Sequence, residues 1–381
     1  MNTLKKLLGL LLACVMIFTF AACHPKDEVA LTVGDVEITS ALYMAALISA
    51  DGEAKTKIDE KKAEDSSSDA SSSTSSAVTS STVSSAIDYL KEKVENKDYS
   101  TWVKERAIEI CTEWAAYETK CKENKITVSD EDQAEIDYYV DYYWTYYGYQ
   151  QIYETNGVSK ETFKKSFTYS YLYNAYFEAL YGEGGEKAVA ADTVKKTIED
   201  NFVVANVLSA STKDLKDAEK TELVNKFNGY ITRLNKGASF EEIYNEYYEI
   251  KEDDKTTSSS ATSSTTEEEK KPEPKDKYAS VLGSEDTSYA DDNYKTVKEM
   301  AIGERKLITD DEAGTITILI RGDLMGDEYW TENLNTPALA LLKQEEFDKD
   351  MADYAKTLKA EKNNFAIDRF KVKNIEYPTA G

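Results

Sequence analysis

Little in this chain could make or break a covalent bond. It holds one histidine, His24, and four cysteines, Cys14, Cys23, Cys111 and Cys121. His24, expected beside an N-terminal membrane anchor, is out of reach of a Ser-His-Asp relay in the folded body, and a histidine-ligated zinc site cannot be built from it alone. No GxxxxGK phosphate loop is present. The clusters Asp310-Asp311-Glu312 and Asp253-Asp254 lack calcium-loop spacing and read as solvated turns. Cys111 and Cys121 sit ten residues apart in one helical pattern. That is about 15 Å at the rise of an α-helix, too far for a disulfide, so both are expected to pack as small hydrophobes. No metal and no cofactor are expected.

The chemistry that remains is non-covalent, and its residue is tyrosine. Thirteen of the 27 tyrosines lie between Tyr138 and Tyr181. A tyrosine ring offers wide contact area at low rotamer entropy, with a hydroxyl that donates or accepts, which suits loose contact with varied polypeptide. Ile136, Val140, Tyr143 and Tyr147 fall on one helical stripe and read as the core face. Tyr138, Tyr139, Tyr142, Trp144, Tyr146 and Tyr149 cover the other sides. Two readings stay open. One is helix-bundle packing with hydroxyls at the rim. The other is a cradle for unfolded chains, contacted by Tyr138, Tyr142, Trp144, Tyr146 and Tyr149.

The elements that must hold these rings are mostly helical. Five prolines occur, none between Pro25 and Pro272, and glycine is absent from 53 to 147. A stretch so free of breakers suits long helices. Val29 to Val33, a Gly34-Asp35 turn and Val36 to Ile38 read as a hairpin, with Thr39 or Ser40 capping the helix that follows. Residues 65–86 are almost entirely Ser, Thr, Ala and Asp, a flexible insertion. Helical patterns resume over Ile87–Lys97, Tyr99–Lys122, Asp130–Glu154 and Lys160–Tyr181, with Ser129 and Ser159 at N-cap positions. Phe202–Leu208 is a strand candidate, followed by a polar helix over about 214–236 and a capping box at Ser239. Residues 251–277 form a second polar linker. A βαβ-like run then ends in the strand Thr315–Arg321, a helix spans Pro337–Glu361, and a terminal strand covers Phe370–Tyr377.

The N-terminus reads as a secretory signal: Lys5 and Lys6, an apolar run from Leu7 to Phe20, then Ala21 and Ala22 before Cys23. Phe20-Ala21-Ala22-Cys23 resembles the lipobox of bacterial lipoproteins, with Phe20 in place of the usual leucine. The resemblance implies that 1–22 is removed and that the Cys23 thiol carries a diacylglycerol. Cys14 is the rival site, and an uncleaved anchor or a plain secretory signal are the alternatives. No second apolar run of transmembrane length follows. The charge is 46 basic against 71 acidic residues, net −25. This argues against nucleic acid and against electrostatic adhesion to anionic lipid.

The order of segments resembles the extracytoplasmic foldases of the PrsA/SurA type, which carry a parvulin-like peptidyl-prolyl isomerase domain. Val29–Ala45 looks like the family's N-terminal hairpin and helix. Ile126-Thr127-Val128-Ser129-Asp130 and Asn156–Phe163 look like its inter-helix connections. Ala205-Asn206-Val207-Leu208, Lys236–Glu242, Met300–Glu304 and Asp311–Ile318 trace the isomerase lobe. The implied fold is α+β and mainly α: a helical chaperone lobe from N- and C-terminal segments with a parvulin-like domain inserted. Its divisions are 23–200, 201–322 and a returning segment 323–381.

Active parvulins present two histidines with a nearby Cys or Asp. Here the first position is Asn206 and the second falls at about Ile316, while the family's glycine-rich segment is reduced to Ser280-Val281-Leu282-Gly283. Asn206 is a peptide-orienting amide or a satisfied strand-end amide. The resemblance implies a chaperone lipid-anchored on the extracytoplasmic face, holding unfolded secreted chains as a monomer or a homodimer, and the departure at both histidine positions implies an inactive isomerase lobe. An active isomerase and a surface-binding lipoprotein without chaperone function are the alternatives.

Overall fold

A computed structural model describes residues 28–68, 87–250 and 273–377. Cys14, Cys23 and His24, most of the Ser-rich insertion (69–86) and most of the second linker (251–272) lie outside the described residues. Two compact units divide the chain: one combines the part up to Leu180 with the part from Glu346, and the other is Tyr181–Glu345. Helices dominate and the sheets are small and antiparallel, an α+β fold that is mainly α.

The first unit opens with the hairpin β1 (Val29–Val33) and β2 (Val36–Thr39), turned at Gly34 with φ 58°. Strand β9 (Ala360–Lys362) pairs with β1 from the other end of the chain, giving the order β2-β1-β9. Thr39 Oγ1 accepts from the Leu42 amide at 3.2 Å and starts helix α1 (Ser40–Ser68). Helix α2 (Tyr99–Glu123) packs against α1. The expected helix over 87–97 is absent. A 3-10 turn at Tyr89–Lys91 leads instead into a two-residue hairpin, β3 (Lys93–Val94) and β4 (Lys97–Asp98). Glu95 and Asn96 adopt φ 51° and 68° there, left-handed backbone that no helix accommodates and that a tight hairpin turn requires.

The single helix expected over 130–154 is two: α3 (Asp130–Thr145) and α4 (Tyr149–Thr155). Gly148, at φ 72°, breaks it. Ser129 Oγ accepts from the Asp132 amide at 3.0 Å, and Ser159 Oγ from the Thr162 amide at 3.3 Å ahead of α5 (Lys160–Tyr181). Leu31, Ile38, Leu47, Val103, Cys111, Ile136 and Tyr169 belong to one buried cluster. The expected terminal strand over 370–377 is also absent. The short helix Asn364–Ile367 and a 3-10 turn at Val372–Asn374 carry Ile367 and Val372 into the core. Phe370 and Val372 pack on the core from this turn region, and the strand of this segment lies earlier, in β9.

In the second unit α6 (Ala191–Asn201) runs into β5 (Phe202–Ser211). Then come α7 (Asp217–Asn235), α8 (Phe240–Tyr247), β6 (Ala279–Gly283), α9 (Tyr294–Glu299), β7 (Arg305–Asp310) and β8 (Thr315–Arg321). The capping box before α8 forms, with Glu242 N to Ser239 Oγ at 3.1 Å and Ser239 N to Glu242 Oε2 at 3.0 Å. The sheet order is β6-β5-β8-β7 with every neighbouring pair antiparallel. The βαβ-like expectation fails, because β6 and β7 stand at opposite edges. Both faces of the sheet are covered. Leu208, Ile316 and Ile318 pack with Phe227, Leu234 and Ile243, while Val203, Ala205 and Leu319 pack with Tyr294, Val297 and Met300. Helices α10 (Glu328–Asn333) and α11 (Asn335–Thr357) follow.

Candidate functional site

Helix α3 turns Ile136, Val140 and Trp144 inward, at spacings of four. Trp144 was expected on the exposed side, yet it is buried, its ring 5.5 Å from Phe163 and 6.3 Å from Tyr153. Tyr147 was expected in the core stripe, yet it is 58 % exposed, because the helix ends at Thr145 and Gly148 turns the chain. The two residues exchange roles. Both stripes fit a helical period, and the partners on α4 and α5 decide between them.

The other four tyrosines expected to contact unfolded chains lie at the surface. Tyr138 is 62 % exposed and Tyr146 78 %, with Tyr142 and Tyr149 at the edge of exposure. Tyr138, Tyr142 and Tyr146 form a ladder along the helix, with centroids 6.2 and 5.3 Å apart and rings within 5° and 9° of parallel. Tyr147 meets Tyr142 edge-on at 5.4 Å. Behind the ladder, Tyr143 stacks on Tyr149 at 5.8 Å and touches Phe167 at 5.9 Å, which ties the exposed rings to α5. Such ring pairs each add roughly 0.5–1.5 kcal/mol beyond area burial, so the rings hold one another in place with their outer surfaces open. A hydrogen bond with Tyr147 raises the phenol pKa of Tyr142. Asp141 pairs with Lys160 at 2.5 Å and Asp137 pairs with Lys164, which fixes α3 against α5.

In the second unit Asn206 is buried, and its Nδ2 donates to Asp276 Oδ2 at 3.0 Å. Asp276 Oδ1 in turn accepts from the Tyr278 amide at 2.9 Å. The amide is engaged in holding the chain before β6. Ile316 is wholly buried, and the Ser280–Gly283 segment is part of strand β6. Neither strand position offers a group that could exchange a proton. A cleft of about 160 Å³ lies elsewhere in this unit, lined by Phe202, Val204, Ile302, Arg321 and Leu324 among others. Its guanidinium is engaged by the carbonyl oxygens of Lys298, at 2.8 Å, and Met300.

No family model matches the chain, and no curated protein matches it. Among solved structures it is similar to the foldase protein PrsA from Streptococcus pneumoniae str. Canada MDR_19A. The identity is 12 %, covering 65 % of this chain and 81 % of that one, with a TM-score of 0.38.

The remaining reactive groups are withdrawn or paired. Cys111 and Cys121 are free and buried, as their spacing implied. Burial pushes the Cys121 thiol up to about 11 and that of Cys111 further, so neither is a thiolate near neutrality. A polar cleft of about 360 Å³ in the first unit is lined by ion pairs: Arg106 with Glu53 at 2.8 Å, Lys57 with Glu95 at 2.9 Å and Lys97 with Glu105 at 2.6 Å. Among the described residues no group of His, Cys, Asp and Glu could hold a metal, and no helix is long and apolar enough to cross a membrane.

Proposed function

We propose that this protein is a lipid-anchored extracytoplasmic chaperone that holds unfolded secreted polypeptides on the tyrosine surface of α3 and α4. The observation that carries the reading is the ladder of Tyr138, Tyr142 and Tyr146 with its flanking Tyr147 and Tyr149, rings packed to one another and open to solvent. A contiguous exposed aromatic patch marks an interaction site, and rigid rings contact varied sequences at little entropic loss. The lipobox-like sequence supports an anchor at Cys23, with five residues, 24–28, between it and the start of β1. That short tether would hold the body against the membrane face where translocated chains emerge.

The parvulin-like lobe, 201–322, is proposed to be without isomerase activity. Rotation about an X-Pro bond faces a barrier of roughly 18–20 kcal/mol, and lowering it needs groups that hydrogen-bond a twisted, desolvated amide. Asn206 is committed to Asp276, and the second position is the buried Ile316. The test is suppression of a model client's aggregation by the protein and by its Tyr142→Ser/Tyr146→Ser/Tyr149→Ser variant. Loss of most holding activity with an unchanged circular dichroism spectrum is expected; full activity in the variant refutes the reading. A proline-peptide isomerisation assay on the same protein should show no acceleration.

A further inference from the structure

The tyrosine surface carries a charge signature beyond its aromaticity. From residue 126 to 159 the chain holds seven acidic residues and no lysine, arginine or histidine. Two of the acids on α3, Asp137 and Asp141, pair with lysines of α5 yet keep 56 % and 70 % of their side chains exposed. With Lys125, Lys160, Lys164 and Lys165 counted, residues 125–165 still hold eight acids against four lysines, so the exposed rings stand in a negative surround within a chain of net charge −25.

The same rings lack the internal cations that tyrosines acquire elsewhere in this protein. Lys55 lies 3.6 Å from the Tyr377 ring centre, Lys120 3.9 Å from Tyr354, Lys277 5.0 Å from Tyr278 and Lys226 5.2 Å from Tyr247. Among the described residues no lysine or arginine stands over Tyr138, Tyr142, Tyr146, Tyr147 or Tyr149. An electron-rich ring face in an acidic surround, left without a cation, is a receptor for one.

Resting on the reading of this surface as the client site, we propose that it selects extended segments bearing arginine or lysine, with two cations four residues apart as the best match. The spacing follows from geometry. Tyr138 and Tyr146 end the ladder eight residues apart, about 12 Å along a helix. In an extended chain, side chains i and i+4 share one side and lie about 13 Å apart. One segment can thus set a cation at each end of the ladder and lay apolar side chains on Tyr142, Tyr147 and Tyr149. Each exposed cation–π contact strengthens binding roughly two- to five-fold, so the paired contacts favour basic stretches without locking them in place.

The experiment uses fluorescein-labelled, unstructured 15-residue peptides of equal apolar content. One carries two arginines four residues apart, and a second has glutamines there. Anisotropy titrations are run on the protein, on Tyr138→Leu/Tyr146→Leu and on Tyr142→Ser/Tyr146→Ser/Tyr149→Ser. The arginine peptide should bind about tenfold tighter than the glutamine peptide, and the leucine variant should cut that preference to less than twofold while still binding both. Equal affinity of the two peptides for the protein overturns the selectivity; if the serine variant then loses both, the client surface itself stands. An arginine preference that survives intact in the leucine variant also overturns the proposal, since bulk charge then accounts for it. Peptide binding and aggregation suppression both unchanged in the serine variant would remove the client surface and this inference together.

Discussion

Two buried tyrosines of the first unit show how much a single partner decides. Tyr43 is fully buried, and its hydroxyl finds no hydrogen-bond partner among the described residues. Burial and the nearby Cys111 and Asp368 hold its phenol neutral far into alkali. An unpartnered buried hydroxyl costs its desolvation and returns nothing. Tyr43→Phe should therefore be neutral or stabilising, by up to about 1 kcal/mol, read as an unchanged or raised denaturation midpoint. Tyr99 is the opposite case: its hydroxyl donates to Asp51 Oδ1 at 2.7 Å, and that carboxylate also takes Lys55 and Tyr377. The pH dependence follows from related groups. The folded protein raises Cys121 from 9.0 to about 11 and Tyr153 from 10.0 to about 12, chiefly through burial. It binds those protons more tightly than the unfolded chain does, so the stability they represent is complete below pH 9 and is lost as pH rises through 11 and 12. The tyrosine alone corresponds to roughly 3 kcal/mol. Denaturant midpoints should accordingly fall steeply between pH 9 and 12, and a flat profile would contradict the burial described here.

At the scale of elements, the break between α3 and α4 shapes the exposed aromatic surface. Gly148 holds φ 72° with open space around its missing side chain. Gly148→Ala should thus cost only the left-handed backbone strain, about 1 kcal/mol, while perturbing the placement of Tyr147 and Tyr149. A lowered midpoint with weakened client holding is the expected pair of results. The same break explains what the sequence could reveal. Hairpin β1–β2, the caps at Ser129, Ser159 and Ser239 and the strands β5 and β8 were legible, because each is written in a few adjacent residues. The inward stripe of α3 was not, since 136/140/143/147 and 136/140/144 both satisfy a helical period. Trp144 wins through Tyr153 and Phe163, and nothing local announces them. The hairpin at Glu95-Asn96 carried no glycine to betray its turn. Asn206 was legible as a polar residue in an apolar strand, whereas its partner Asp276 lies seventy residues away.

For the molecule as a whole, the first unit is sewn shut by its last residues. The Asn363 amide donates to the Ala30 carbonyl at 2.9 Å, and the Asn363 side chain donates to the Val29 carbonyl at 3.0 Å. Asn156 both donates to and accepts from the backbone of Glu376, and Tyr377 donates to Asp51 at 2.6 Å. Deleting residues 360–377 should selectively weaken this unit. Three of the four tryptophans, Trp102, Trp114 and Trp144, lie in it, so their fluorescence should report a lowered, broadened transition while the second unit's transition stays in place.

That stitching sets a timetable. Residues 181–345 are contiguous and can fold as soon as they are complete, whereas the first unit must wait for β9 to arrive from the far end of the chain. Closing so long a loop is slow, and until it closes one edge of β1 stands open as a template for stray pairing. During biogenesis the sheet of the first unit therefore stays one strand short until 360–362 are delivered, and the speed of that delivery sets how long the open edge of β1 lasts.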